Sequence, residues 1–75
     1  MTDLQAAKFI KEKLPEIGTV IVSSQTHVTS DDRVIESWSA SIFRRGQTDI
    51  IARGTGDTSG RAARNAVAAY FEATK

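Results

Sequence analysis

Arg61 and Arg64 stand three residues apart at the start of an alanine-rich segment, directly after the run Gly54-Thr55-Gly56-Asp57-Thr58-Ser59-Gly60. At helical spacing the two guanidinium groups share one face. The first amides of such a helix have no intrahelical partners and lie at the positive end of its dipole, and guanidinium binds phosphate oxygens two at a time. Residues 54 to 71 therefore read as a glycine-rich turn feeding an anion-binding helix.

The glycines do not make a nucleotide loop. A P-loop needs Gly-x-x-x-x-Gly-Lys-Ser/Thr, and no glycine pair has that spacing ahead of a lysine; in the dinucleotide fingerprint the third glycine would fall at Ser59. His27 is the only histidine and there is no cysteine, so neither a histidine pair nor a thiolate set can hold a metal, and Asp31-Asp32 alone is a weak cation ligand. A lone histidine with scattered serines and aspartates is not a catalytic triad. Trp38 is a core residue on this reading, because single-strand binders present several aromatics on one sheet face. The expectation is a protein that is not an enzyme and uses no cofactor and no metal.

Elements that could position the arginines follow from periodicity. Thr2-Asp3-Leu4-Gln5 fits a capping box and opens a helix from about residue 3 to 14, with Ala7, Ile10, Leu14 and Ile17 inward, Leu4 and Phe9 flanking, and Gln5, Lys8 and Glu12 outward. Pro15 ends it, and Gly18 completes the exit. Thr19 to Val28 alternates as a first strand, Thr29 to Arg33 is a polar turn, and Val34 to Phe43 is a second strand with Trp38, Ala40 and Ile42 in phase. Arg44-Arg45-Gly46-Gln47 is a hairpin turn whose arginines serve solubility, and Gly46 suits a positive φ. A third strand spans Thr48 to Arg53, with Ile50 and Ala52 inward. Thr58 or Ser59 caps the second helix, which buries Ala63, Ala66, Val67, Tyr70 and Phe71, while Glu72 to Lys75 fray.

The fold class is thus α+β, in the order α-β-β-β-α: a three-stranded antiparallel sheet with two helices packed on one face, in a single domain covering residues 1–75. At 75 residues the core is small, since chains of this size bury only roughly 60% of their unfolded surface. No apolar run approaches a membrane span and no leader pattern is seen, which with the absence of cysteine suggests a cytoplasmic setting. Net charge is +1, but residues 44 to 64 hold five arginines against two acids, whereas residues 29 to 36 hold three acids against one arginine.

In element order and in its C-terminal half the chain resembles the double-stranded RNA-binding domain family. Ala52-Arg53-Gly54-Thr55-Gly56 followed by Ser59-Gly60-Arg61-Ala62-Ala63-Arg64-Asn65-Ala66-Val67-Ala68 is similar to that family's glycine-rich approach and its Ser-Lys-Lys-x-Ala-Lys-x-x-Ala-Ala run. The resemblance is close over about 20 residues and extends to the rest by element order. It implies recognition of duplex RNA by shape and phosphate backbone, with Arg61 and Arg64 astride the major groove and Gln5 and Lys8 of the first helix at 2′-hydroxyls in the minor groove. Two departures stand out. Gly60 replaces the first lysine of the run, and the loop between the first two strands, Val28-Thr29-Ser30-Asp31-Asp32, is acidic where the family has a Gly-Pro-x-His type sequence.

The alternative is a protein-interaction or dimerisation module on the same fold without RNA binding, such as a small phage-encoded regulator. Its surface would be the open sheet face, where Ile21, Ile35, Phe43 and Ile51 are expected to form an apolar strip opposite Val22, Trp38, Ile42 and Ile50.

Overall fold

The Thr2 hydroxyl accepts from the Gln5 amide at 3.2 Å and the Gln5 side chain accepts from the Thr2 amide at 2.9 Å, closing the capping box that starts the first helix. A computed structural model describes all residues 1–75. Its elements are α1 (Asp3–Lys13), β1 (Val20–Val28), β2 (Val34–Phe43), β3 (Ile50–Gly56) and α2 (Ser59–Ala73). The strands form one antiparallel sheet in the order β1-β2-β3. This is the α+β, α-β-β-β-α arrangement that the sequence predicts.

Ahead of Pro15, α1 stops at Lys13, and the Lys11 ammonium crosses its end to the carbonyls of Ile17 and Gly18, at 2.9 and 3.2 Å. The inward residues are Ala6, Ile10 and Leu14, not Ala7, and Leu4 is exposed. The four-residue spacing from Ala6 sets that face. Ile17 is also buried, but it lies beyond the proline and does not share the helical phase that pointed to Ala7.

One layer of small and branched side chains joins the elements: Ala6, Ile10, Leu14 and Ile17 below, Ala40, Ile42 and Ala52 from the sheet, and Ala62, Ala63 and Ala66 from α2. Val20, Val22 and Trp38 pack around it. Both helices therefore cover the same sheet face. In α2 the buried stripe includes Ala62, while Phe71, expected inside, is exposed. Ser59, Ala62, Ala63 and Ala66 set the inward face, which Tyr70 shares and Phe71, one step further round, does not, and their small side chains let the helix lie close to the sheet.

That closeness comes from β3. The strand does not end at Arg53 but continues through Gly56, so Gly54-Thr55-Gly56 is strand and not a turn. A Cβ at Gly54 would lie 2.1 Å from the Ala66 nitrogen and 2.4 Å from the Ala62 carbonyl oxygen. Only glycine lets the α2 backbone approach the strand at this point. The other end of β3 is irregular: Ile42 faces Ala52 but Phe43 faces Ile50, leaving Ile51 as an extra residue. The bulge turns Ile50 out of the core, where it had been expected, and leaves it half exposed.

Between β2 and β3 Gly46 takes a φ of +74°. Between β1 and β2 the turn is held by Thr29, whose amide donates to the Arg33 carbonyl at 2.9 Å and whose hydroxyl accepts from the Arg33 amide at 3.1 Å. Asp32 there adopts a φ of 62°, which a short polar side chain tolerates. This hairpin outruns the sheet. The last residue of β3, Gly56, pairs with Trp38, so Val34 to Ser37 have a partner only in β1. The arm projects about 13 Å past β3, and both of its faces are exposed, the paired Val28 and Val34 at 68% and 70% on one and Ile35 at 47% on the other.

Candidate nucleic-acid interface

Two contacts set the relation of the helices. At the start of α2 the Ser59 hydroxyl donates to the Met1 carbonyl, and near its end the Tyr70 hydroxyl donates to the Glu16 carboxylate at 3.0 Å. The helices consequently run side by side in the same direction, with their N-termini together. Gln5 and Lys8 occupy the first two turns of α1, Arg61 and Arg64 the first two of α2, and all four are exposed.

The four differ in freedom. Gln5 has its carbonyl oxygen committed to the capping box, so only its amide group remains as a donor to a ligand. Lys8 makes no ion pair. The Arg61 backbone amide donates to the Thr58 hydroxyl, which caps α2 at 3.1 Å, while its guanidinium lies 3.4 Å from the Asp57 carboxylate, both side chains about two-thirds exposed. An exposed pair of this kind is worth between about 0 and 1 kcal/mol, so a phosphate can displace it. Arg64, one turn on, has no acidic partner.

Asp57 and Asn65 are additions to the site that were not singled out from the sequence. The four-residue spacing of Asp57 and Arg61 on the edge of a helix is the signal that marks the first. The Asn65 amide is spent on the Thr55 carbonyl at 2.7 Å, tying α2 to β3, and has no local sequence signature.

The positive charge between residues 44 and 64 does not gather into one patch. Arg44 and Arg45 sit against Gly18, at the end of the molecule where α1 terminates and opposite to Arg61 and Arg64. Arg53 pairs with Ser41 and points to the open sheet face. The acidic turn with Asp31 and Asp32 tips the projecting arm. No group of three His, Asp or Glu side chains is close enough to hold a metal ion.

The open sheet face is not the continuous apolar strip expected of it. His27 pairs with Ile35 and Ile21 with Ser41, so Ile35 lies about 20 Å along the sheet from the Ile21 end. Between them run Ser23, Gln25, Ser37 and Ser39, with the Ser23 and Ser39 hydroxyls 3.1 Å apart. At the Ile21 end Thr19, Ile21, Phe43, Gln47 and Thr48 line an open depression of about 210 Å³.

No helix is long and apolar enough to cross a membrane. No protein-family model, curated protein or solved structure matches the chain.

Proposed function

We propose that this protein is a non-enzymatic nucleic-acid-binding domain of the double-stranded RNA-binding type, acting in the cytoplasm and holding duplex RNA by its shape and phosphate backbone. The observation that supports this most is the parallel packing of the helices, which puts the exposed Gln5 and Lys8 of α1 and the exposed Arg61 and Arg64 of α2 at the same end of the molecule. On this reading Arg61 and Arg64 hold phosphates across the major groove, aided by the α2 N-terminus. Lys8 and the Gln5 amide reach 2′-hydroxyls in the minor groove.

The charge available makes binding weak and salt-dependent. With about three phosphates neutralised, raising salt from about 50 to about 200 mM lowers affinity roughly 40-fold. The test is titration of an RNA duplex of about 20 base pairs, longer than the roughly 16 that such a domain spans, in parallel with DNA of the same sequence. Wild type binds RNA in preference to DNA, and Arg61→Glu/Arg64→Glu abolishes binding while remaining folded. Absence of RNA binding by folded wild type at low salt overturns the proposal, and equal binding by the double variant moves the site away from α2.

A further inference from the structure

The β1 edge of the sheet is the least protected part of the molecule. Val20-Ile21-Val22-Ser23-Ser24-Gln25-Thr26-His27-Val28 contains no lysine, arginine, carboxylate, proline or glycine, and its nine residues pair with β2 without a bulge. Edges of this length are normally blunted by charge, proline, a bulge or a covering element.

The phase of the ladder shows which backbone groups are free. At one end the Phe43 amide donates to the Thr19 carbonyl, and at the other the Thr29 amide donates to the Arg33 carbonyl. Odd-numbered residues of β1 therefore bond β2, and the amides and carbonyls of Val20, Val22, Ser24, Thr26 and Val28 point away from the sheet.

We infer that this edge pairs with the same edge of a second copy, antiparallel about a two-fold axis at Ser24, to make one continuous six-stranded sheet. Three features select a second copy as the occupant. In this register every outward group meets an outward group: Ser24 faces Ser24, Val22 faces Thr26, and Val20 faces Val28, giving about ten backbone hydrogen bonds. Val28, largely exposed on the arm, comes to rest beside the half-buried Val20 of the other copy. Within the strand no like charges oppose one another, because His27, its only titratable group, faces Ile21.

Past Val28 the same register carries Asp31 alongside Ile17 and Asp32 alongside Glu16 of the second copy, so the Lys11 ammonium held on the Ile17 and Gly18 carbonyls and the Glu16 carboxylate act on the acidic turn with opposite sign. The dimer does not require RNA.

Sedimentation velocity over the micromolar range tests this without ligand. Wild type forms a dimer over this range. Ser24→Pro removes an outward amide that β2 does not use, so it abolishes the dimer while circular dichroism retains the sheet. Ser24→Cys, in a chain with no other cysteine, links into a covalent dimer under mild oxidation. Its two Cα atoms lie about 5.5 Å apart across a bonded pair, within disulfide reach. Ser30→Cys, equally exposed but off the axis, stays unlinked. A wild type that remains monomeric throughout, a folded Ser24→Pro that still dimerises, or Ser24→Cys linking no faster than Ser30→Cys overturns the inference.

Discussion

The two edges of the sheet are built on opposite plans. β3 carries Arg53, two glycines and a bulge at Ile51, and it is held by α2, whose backbone lies against Gly54 and whose Asn65 side chain bonds the Thr55 carbonyl. β1 has none of these and is held by an unbroken ladder to β2. A glycine-containing edge strand is weak by itself and gains its place from the helix above it. β1 is strong by itself and keeps its outer hydrogen-bonding row available. The difference separates two roles in one small sheet: β3 fixes the helix that carries Arg61 and Arg64, and β1 leaves an unpaired edge, where the second copy inferred above would pair.

The comparison breaks most sharply at Gly54. An added methyl group meets three backbone atoms of α2 within 2.6 Å, and none can yield without moving the helix. Gly54→Ala is expected to cost about 3 kcal/mol or more, read as a large fall in the thermal midpoint, with loss of RNA binding because the arginines move with the helix. Gly56→Ala meets the Arg61 Cβ at 2.8 Å and the Ala62 nitrogen at 3.0 Å. A helix terminus gives way more readily than a helix interior, so the cost is expected at the low end, about 1–2 kcal/mol. If the two substitutions are equally mild by chemical denaturation, β3 is not seated through its glycines.

Much of this division could be read from the residues. The capping box at Thr2 and Gln5, the stop at Pro15, the turn at Gly46 and both limits of β2 follow from local chemistry, and the structure has them where that chemistry requires. Gly54 and Gly56 are where the reading failed, and for a physical reason. Glycines beside Asp57, Thr58 and Ser59 resemble a turn to any local rule, while their role is set by Ala62 and Ala66, which reach them only after the chain has folded back. The same holds for the arginines. Five stand within 21 residues, and only the fold shows that the hairpin sends Arg44 and Arg45 to one end and Arg61 and Arg64 to the other. The alternation that put Ile21, Ile35 and Phe43 on one face holds in the register, while the bulge takes Ile51 out of the pattern. Their separation along that face depends on register, which alternation does not contain.

A smaller effect tests whether the β3 half depends on its cap. Thr58 accepts from the Arg61 amide at the point where β3 hands over to α2. Thr58→Ala is expected to cost about 1 kcal/mol and to weaken RNA binding slightly by loosening Arg61. Dimerisation through β1 should be unchanged. A loss of both activities together would mean that the two edges are not independent.

The smallest expected effect concerns the link between the halves. Tyr70 of α2, the helix seated on β3, donates to Glu16 in the segment that leads into β1. This hydrogen bond to the carboxylate raises the Tyr70 pKa above its ordinary value of 10.0, with partial burial and the Glu16 charge acting in the same direction and Arg44 opposing them. A folded pKa above the unfolded one means the contribution to stability is fully present below about pH 10 and is lost as pH rises through the folded value. The chain has one tyrosine, so ultraviolet titration of the phenol reads this group alone, and it should ionise later in the folded than in the unfolded protein. Glu16→Gln removes the carboxylate and should bring the two titrations together. If the alkaline loss of stability instead persists in Tyr70→Phe, the halves are joined through the alanine layer and not through this bond.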